Sequence, residues 1–86
     1  MVEREIVREV QRFVEKLKEH GFHLDKVILY GSRVSGKAHK YSDIDVAVIS
    51  QDFGKDRYEE GAKLFEIAAR VNPLIEPVPI SSKSFE

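Results

Sequence analysis

Two short apolar runs separated by a polar segment constrain the fold of this chain more than any other feature. The first run, Val27 to Tyr30, is β-branched and aromatic and too short for a helix, so it predicts a buried strand that ends at Gly31. The second run, Ile44 to Ile49, predicts another strand in the same way. The polar segment must therefore connect two short strands.

Two amphipathic helices are predicted on either side of these strands. Residues 2 to 20 carry apolar side chains three or four positions apart, which places them on one stripe of a helix that stops at Gly21. Apolar spacing from Tyr58 onward predicts another helix, and Asn72 and Pro73 end it because the residue before proline is pushed out of the helical region. Residues 32 to 38 are expected to form a helical turn or a short helix.

A third extended segment is predicted from Leu74 to Ile80. Pro77 and Pro79 lie within it, and neither can donate a backbone hydrogen bond to a neighbouring strand. At least part of this segment must therefore lie at an edge of the sheet or at the end of a pairing.

The order of the predicted elements is helix, strand, short helix, strand, helix, strand. This order indicates an α/β (α+β) domain in two layers, a small mixed sheet with helices packed against one face and the other face left partly open. With 86 residues the chain is expected to form one domain, 1–86, since a chain of this size buries only about 60 to 65% of the surface that it exposes when unfolded.

Composition excludes several classes of protein. Fourteen basic and fifteen acidic residues leave a formal charge of −1, so extended binding to nucleic acid is not expected. There is no cysteine, and the charged N-terminus and short apolar runs predict neither a secretory signal nor a membrane span. We therefore expect a cytoplasmic protein. His20 and His23 lack a third ligand at recognisable spacing and are assigned no chemistry.

Asp43 and Asp45 stand at the head of the second predicted strand. Side chains two positions apart on a strand point the same way, so both carboxylates share one face while Ile44, Val46 and Val48 point to the other. Two carboxylates held this close repel each other unless cations neutralise them. Mg²⁺ prefers carboxylate, phosphate and water oxygens, and two such ions about 3.5 to 4 Å apart would suit phosphoryl displacement.

The polar segment supplies a complementary anion site. Gly31 lets the backbone turn tightly and approach a ligand, and the amides that follow it can face an anion. Ser32 adds a hydroxyl donor, and Arg33 begins a series of cationic side chains along the connection. A lone Gly-Ser pair or acidic pair is commonly a surface feature, but the two in this order predict a site for phosphate and metal.

At these residues the sequence resembles the minimal nucleotidyltransferase family of the DNA polymerase β superfamily. The family signature is Gly-Ser, ten residues, then Asp-x-Asp, and it is matched without a gap from Gly31 to Asp45. Gly36 and Ser42 also fit the longer form, GSRxxGxxxxxSDxD. The order of elements is similar too, so the resemblance covers nearly the whole chain and implies the nucleotidyltransferase fold.

The resemblance implies a Mg²⁺-dependent nucleotidyltransferase that moves AMP from ATP to an acceptor hydroxyl, with pyrophosphate leaving. By the family pattern, the triphosphate would be held by Gly31, Ser32 and Arg33. Asp43 and Asp45 would be catalytic residues that hold two magnesium ions.

The family also places a third catalytic, metal-binding carboxylate on a later strand. Glu76 is the candidate, although many relatives have aspartate there, because it is the only acid between Glu66 and Glu86. An ordinary Glu has a pKa of about 4.3 and is a weak base at neutral pH, so metal would have to do most of the activation of the hydroxyl. The alternative role of Glu76 is a charge at the edge of a strand.

Small proteins of this family are commonly antitoxins paired with a helical HEPN-domain toxin, and some add AMP to a tyrosine of that toxin. The resemblance therefore implies an HEPN toxin as partner and its tyrosine as acceptor. Two alternatives stay open: an antitoxin that neutralises its partner by binding alone, and a nucleotidyltransferase acting on a small molecule or nucleic acid. The near-neutral charge disfavours nucleic acid.

Overall fold

The computed structural model describes residues 3–31 and 43–85 of the chain. Within these ranges the elements are α1 (Arg4–Glu19), β1 (Leu24–Tyr30), β2 (Ile44–Ser50), α2 (Arg57–Val71), β3 (Ile75–Ser81) and α3 (Ser82–Phe85). Both long helices and all three strands are where the sequence predicts them. The short helix expected at 32–38 lies outside the described residues.

The three strands form one mixed sheet with β2 at its centre. β1 pairs with β2 antiparallel, and β3 pairs with β2 parallel. The central position explains why β2 is the most apolar strand, since it has a neighbour on each side and is covered by side chains on both faces. The small mixed sheet predicted from the sequence is confirmed.

One face of the sheet carries the hydrophobic core. Ile44, Val46 and Val48 are fully buried on that face, as the alternation along β2 predicts. The helices α1 and α2 cover it with buried side chains that belong to the same cluster: Ile6, Phe13, Leu17, Leu64, Ile67 and Ala68. The long helices therefore lie on one side of the sheet.

The end of α1 is set by Gly21. This residue has a φ of +88°, a backbone conformation that glycine adopts without steric cost. Its N–H donates to the carbonyl of Lys18 at 3.0 Å, and the N–H of Phe22 donates to the carbonyl of Leu17 at 3.1 Å. These two bonds form a Schellman motif that satisfies the last carbonyls of the helix and turns the chain toward β1.

β3 is an edge strand, as its prolines require. Pro77 and Pro79 are two positions apart, so both backbone nitrogens point toward the same side of the strand. The pairing with β2 is continuous from Ile75 to Ser81, which means that these nitrogens face the free edge. The prediction that this segment lies at an edge is confirmed.

α3 is not indicated by the sequence pattern, because the tail that forms it is polar. The short helix contacts both β2 and β3. Ser82, its first residue, donates its hydroxyl hydrogen to the carboxylate of Asp25 on β1. Local hydrogen bonding and tertiary contact therefore stabilise a helix that has no apolar periodicity of its own. No helix in the described part of the chain is long and apolar enough to cross a membrane.

Two carboxylates organise the start of α2. Asp56 is the N-cap, and its side chain accepts a hydrogen bond from the N–H of Glu59 at 3.1 Å. Glu60 reaches back and accepts hydrogen bonds from the N–H groups of Gly54 at 3.0 Å, Lys55 at 3.2 Å and Asp56 at 3.2 Å. The Gly54 amide, opposed by some desolvation and helped by the other two amides, lowers the pKa of Glu60. The turn before α2 is thus held by an ionised carboxylate.

We therefore expect Glu60 to contribute a pH-dependent part of the stability. Because its pKa is lower in the folded state than its ordinary value of 4.5, this contribution is complete above pH 4.5 and is lost as the pH falls through the lowered value. In urea denaturation between pH 7 and pH 3, the free energy of unfolding of Glu60→Gln should fall less as the pH is lowered than that of the wild-type protein. The control Glu15→Gln, on the exposed side of α1, should retain the wild-type profile.

Candidate functional site

The two aspartates of the signature lie at the start of β2. The backbone there is anchored by the N–H of Ile44, which donates to the carbonyl of Leu74 at 2.8 Å. Ile44 is fully buried, Asp45 is half-buried and Asp43 is exposed. Strand alternation therefore turns Asp45 to the side opposite the helices, and Asp43 directly precedes the strand.

Strand pairing brings Glu76 beside Asp45. In the parallel pair of β2 and β3 these two residues are direct partners in register, so their side chains project from the same face of the sheet. Adjacent strands lie about 4.8 Å apart, which is close enough for two carboxylates to share a ligand. Glu76 itself is exposed. Whether it acts as a catalytic or metal-binding group stays a prediction.

Tyr30 completes a row across the sheet that sequence reasoning missed. It is the antiparallel partner of Asp45, so Tyr30, Asp45 and Glu76 project from one face on three neighbouring strands. Its side chain is 41% exposed. The antiparallel pairing of β1 with β2 would have identified Tyr30, but the register of that pairing is not encoded in either strand alone.

Gly31 follows this row and lies directly against Asp45. Its φ is +83°, and a Cβ atom at this position would overlap the Oδ2 atom of Asp45 and lie 3.1 Å from its Cγ. Only a residue without a side chain allows the backbone to pass so close to the carboxylate. The glycine of the signature thus permits contact between the turn after β1 and the acidic pair.

The rest of the predicted anion site lies outside the described residues. This applies to Ser32 and Arg33 and to the other cationic side chains of the connection up to position 42. Within the described ranges, the structure brings together Gly31, Asp45 and Glu76, with Asp43 two positions before Asp45.

The donor atoms of this end of the sheet suit a hard divalent cation. Carboxylate oxygens are the ligands that Mg²⁺ prefers, and Asp43, Asp45 and Glu76 carry them, the last two as partners on adjacent strands. In residues 3–31 and 43–85 no three acidic or histidine side chains converge closely enough to enclose an ion. The residue types therefore fit a magnesium site, and the described residues do not by themselves enclose one.

A serine, a histidine and an aspartate meet at the opposite end of β2. Asp52 accepts a hydrogen bond from the His23 N–H at 2.8 Å and lies 3.3 Å from the Nδ1 atom of the ring. The Ser50 hydroxyl donates to the backbone carbonyl of His23, not to its ring, so these residues do not form a nucleophilic triad. They link the start of β1 to the end of β2. The backbone N–H of His23 is the main reason that the pKa of Asp52 is lowered.

Comparison with known proteins gives one family and two relatives. A family model described as nucleotidyltransferase domain matches residues 7–80. The probable protein adenylyltransferase MntA of Haemophilus influenzae is 43% identical over 49 residues, which cover 52% of this chain and 43% of that protein. The putative protein adenylyltransferase MJ1305 of Methanocaldococcus jannaschii is 33% identical over 85 residues, covering 87% of this chain and 58% of that protein. The chain thus spans about half the length of these relatives.

Because Gly31 lies against Asp45, substitution by alanine should destabilise the protein more at Gly31 than at Gly21. Gly21→Ala should cost about 1 to 2 kcal/mol, because the residue has a positive φ but open space around it. Gly31→Ala should cost at least about 1 kcal/mol more, because the new methyl group also overlaps the Asp45 carboxylate. Urea denaturation of both variants measures the difference in the free energy of unfolding.

A double-mutant cycle separates this overlap from the backbone strain. In Gly31→Ala combined with Asp45→Ala, the overlapping oxygen is gone, so the cost of the glycine substitution should fall toward that of Gly21→Ala. Additive effects of the two substitutions would contradict the close approach of the turn to the carboxylate.

Proposed function

The chain belongs to the nucleotidyltransferase domain family, and from that premise we propose that it transfers AMP from ATP to a hydroxyl group of a partner protein. One observation carries the proposal: Asp45 and Glu76 are direct partners on adjacent strands, with Gly31 against the Asp45 carboxylate. Phosphoryl transfer requires closely spaced carboxylates for metal ions and a backbone that a phosphate can approach. The neighbouring carboxylates and the glycine at the acidic end of the sheet support the proposal.

A protein is the acceptor that we propose, and two observations support this choice. Both relatives carry the name protein adenylyltransferase, although the matched regions cover only 43% and 58% of those proteins. The formal charge of −1 offers no general attraction for a nucleic-acid backbone. We propose further that the partner is an HEPN-domain toxin, that the acceptor is a tyrosine hydroxyl of this toxin, and that the chain acts as its antitoxin.

The residues of the site would act by position and charge. Asp43 and Asp45 would hold two magnesium ions, and Gly31, with Ser32 and Arg33 after it, would bind the triphosphate. Magnesium, when bound, would stabilise charge on the phosphate oxygens and lower the pKa of the acceptor hydroxyl. A bond forms between the acceptor oxygen and the α-phosphorus of ATP, and the bond from that phosphorus to the oxygen of the β-phosphate breaks, releasing pyrophosphate.

Glu76 would orient the acceptor and take up its proton. It is exposed, unlike the half-buried Asp45, so an incoming hydroxyl can reach it from solvent. Its position on the edge strand also leaves room on one side for a partner protein. The proton would pass from the acceptor oxygen to the Glu76 carboxylate as the new bond to phosphorus forms.

Isosteric substitutions test the three carboxylates. With the candidate toxin, Mg²⁺ and ATP labelled at the α-phosphate, Asp43→Asn and Asp45→Asn should each lower label transfer by at least about a hundredfold. Glu76→Gln should also slow transfer, with more effect on kcat than on the KM for ATP, because the residue is proposed to contact the acceptor. Transfer is measured by intact mass, which shows each AMP added to the partner.

The exposed Glu66→Gln, on the opposite side of the sheet, is the matched control and should transfer AMP as the wild type does. Unchanged thermal unfolding of the variants would show that the fold is kept. Absence of transfer by the wild-type protein to any co-purifying protein would contradict the proposal. If the Asp43→Asn, Asp45→Asn double variant still neutralised the toxin, binding alone would be sufficient for the antitoxin role.

A further inference from the structure

α2 carries two apolar stripes, and the core uses only one of them. Leu64, Ile67 and Ala68 are buried against the sheet and α1. A second set of side chains follows the helix at intervals of four, three and four residues, and all of its members are exposed: Tyr58, Ala62, Phe65 and Ala69. We call this set the outer stripe. It extends for about 16 Å along the helix.

The outer stripe exposes large apolar side chains to solvent. Tyr58 is 89% exposed and Phe65 is 50% exposed, which makes them two of the most exposed large apolar side chains in the described residues. Single exposed apolar residues are ordinary, but a row of them along one side of a helix is typical of a surface that contacts another protein. The row also alternates in size, with each aromatic ring followed by an alanine.

A row of charges runs beside the outer stripe. Glu59, Lys63, Glu66 and Arg70 have the same spacing as the stripe and alternate in sign. All four are exposed, and the ion pair between Arg70 and Glu66, at 3.4 Å, leaves their side chains 71% and 68% exposed. These side chains are therefore free to turn toward a second surface.

The alternation of size in the outer stripe and the alternation of charge beside it each complement themselves when two copies of α2 lie antiparallel. In an antiparallel pair of α2 helices, Tyr58 meets Ala69 of the other copy and Phe65 meets Ala62, so each ring lies over a small side chain. With the rings placed in this way, Glu59 faces Arg70 and Lys63 faces Glu66 with an offset of about 3 Å along the helices. A parallel pair would instead place like rings side by side and would hold the two charge rows on opposite sides of the contact.

We propose that the outer stripe binds a second copy of this chain, forming a two-fold symmetric dimer through antiparallel α2 helices. A two-fold axis requires one surface that complements itself, which is what the alternation of size and charge provides. This inference goes beyond the proposed transfer of AMP and does not depend on it. Because α2 and the acidic end of the sheet lie on opposite faces, the two candidate sites of the dimer point away from each other.

Charge exchange on the full-length chain tests the pairing. Glu59→Lys with Glu66→Lys makes the charge row entirely basic, and Lys63→Glu with Arg70→Glu makes it entirely acidic. Each variant alone should raise the dissociation constant of self-association by at least about tenfold, because attraction across the axis becomes repulsion. An equimolar mixture of the two variants should associate again, because a basic row then meets an acidic row.

Sedimentation equilibrium without ATP or Mg²⁺ provides the measurement. At loading concentrations of about 10 μM to 1 mM, the wild-type mass should rise from 9.9 kDa toward twice that value. Glu5→Lys with Glu15→Lys, on the exposed side of α1, gives the same change of charge as the basic variant and should associate like the wild type. Tyr58→Ala should weaken association without lowering the melting temperature, because the ring is almost fully exposed.

Two results would overturn the proposal. One is a wild-type protein that keeps the mass of a single chain up to 1 mM, in which case the outer stripe is a surface for a different protein. The other is a mixture of the acidic and basic variants that associates no better than either variant alone, since an antiparallel pairing of the charge rows requires the mixture to recover.

Discussion

The alternation of side chains along β2 is the constraint on which the rest of the structure depends. Each residue of this central strand points either into the core or toward the candidate site, and the sequence assigns apolar residues to one side and acids to the other where the strand begins. Burial of Ile44, Val46 and Val48 beneath the two long helices therefore also fixes the direction of Asp45. A shift of one residue in the strand would exchange the two sets and would place the carboxylate in the core.

Local sequence patterns were sufficient for much of this fold. The sequence contains four local signals: the period of two in β2, the apolar stripes of α1 and α2, the glycine that ends α1, and the prolines of an edge strand. Each of them depends only on neighbouring residues. Pairing between strands is a tertiary property, so the partnership of Asp45 with Tyr30 does not follow from local pattern alone. The position of Glu76 was expected from family resemblance, and its place beside Asp45 depends on the parallel register of β2 and β3. The short helix α3 has no periodic signal and follows instead from its contacts.

The two ends of the β1 and β2 pair are held by different chemistry. At one end the buried Ser50 hydroxyl and the Asp52 carboxylate bind the backbone of His23, which fixes the start of β1 to the end of β2. At the other end Gly31 lies against Asp45 with no side chain between them. Hydrogen bonds thus join the strands at the end away from the candidate site, and a register shift between Leu24 and Lys26 separates that end from the continuous pairing that reaches Tyr30 and Asp45.

The prolines of β3 restrict how another polypeptide can approach the carboxylates of the candidate site. A chain that added itself as a fourth strand along the outer edge of β3 would find no N–H at Pro77 or Pro79 and could not complete a hydrogen-bond ladder there. Main-chain capture of a substrate segment is thus disfavoured on the side of the sheet where Glu76 lies. In the proposed reaction, a protein acceptor would therefore reach Glu76 with a side chain and not by pairing its backbone with β3.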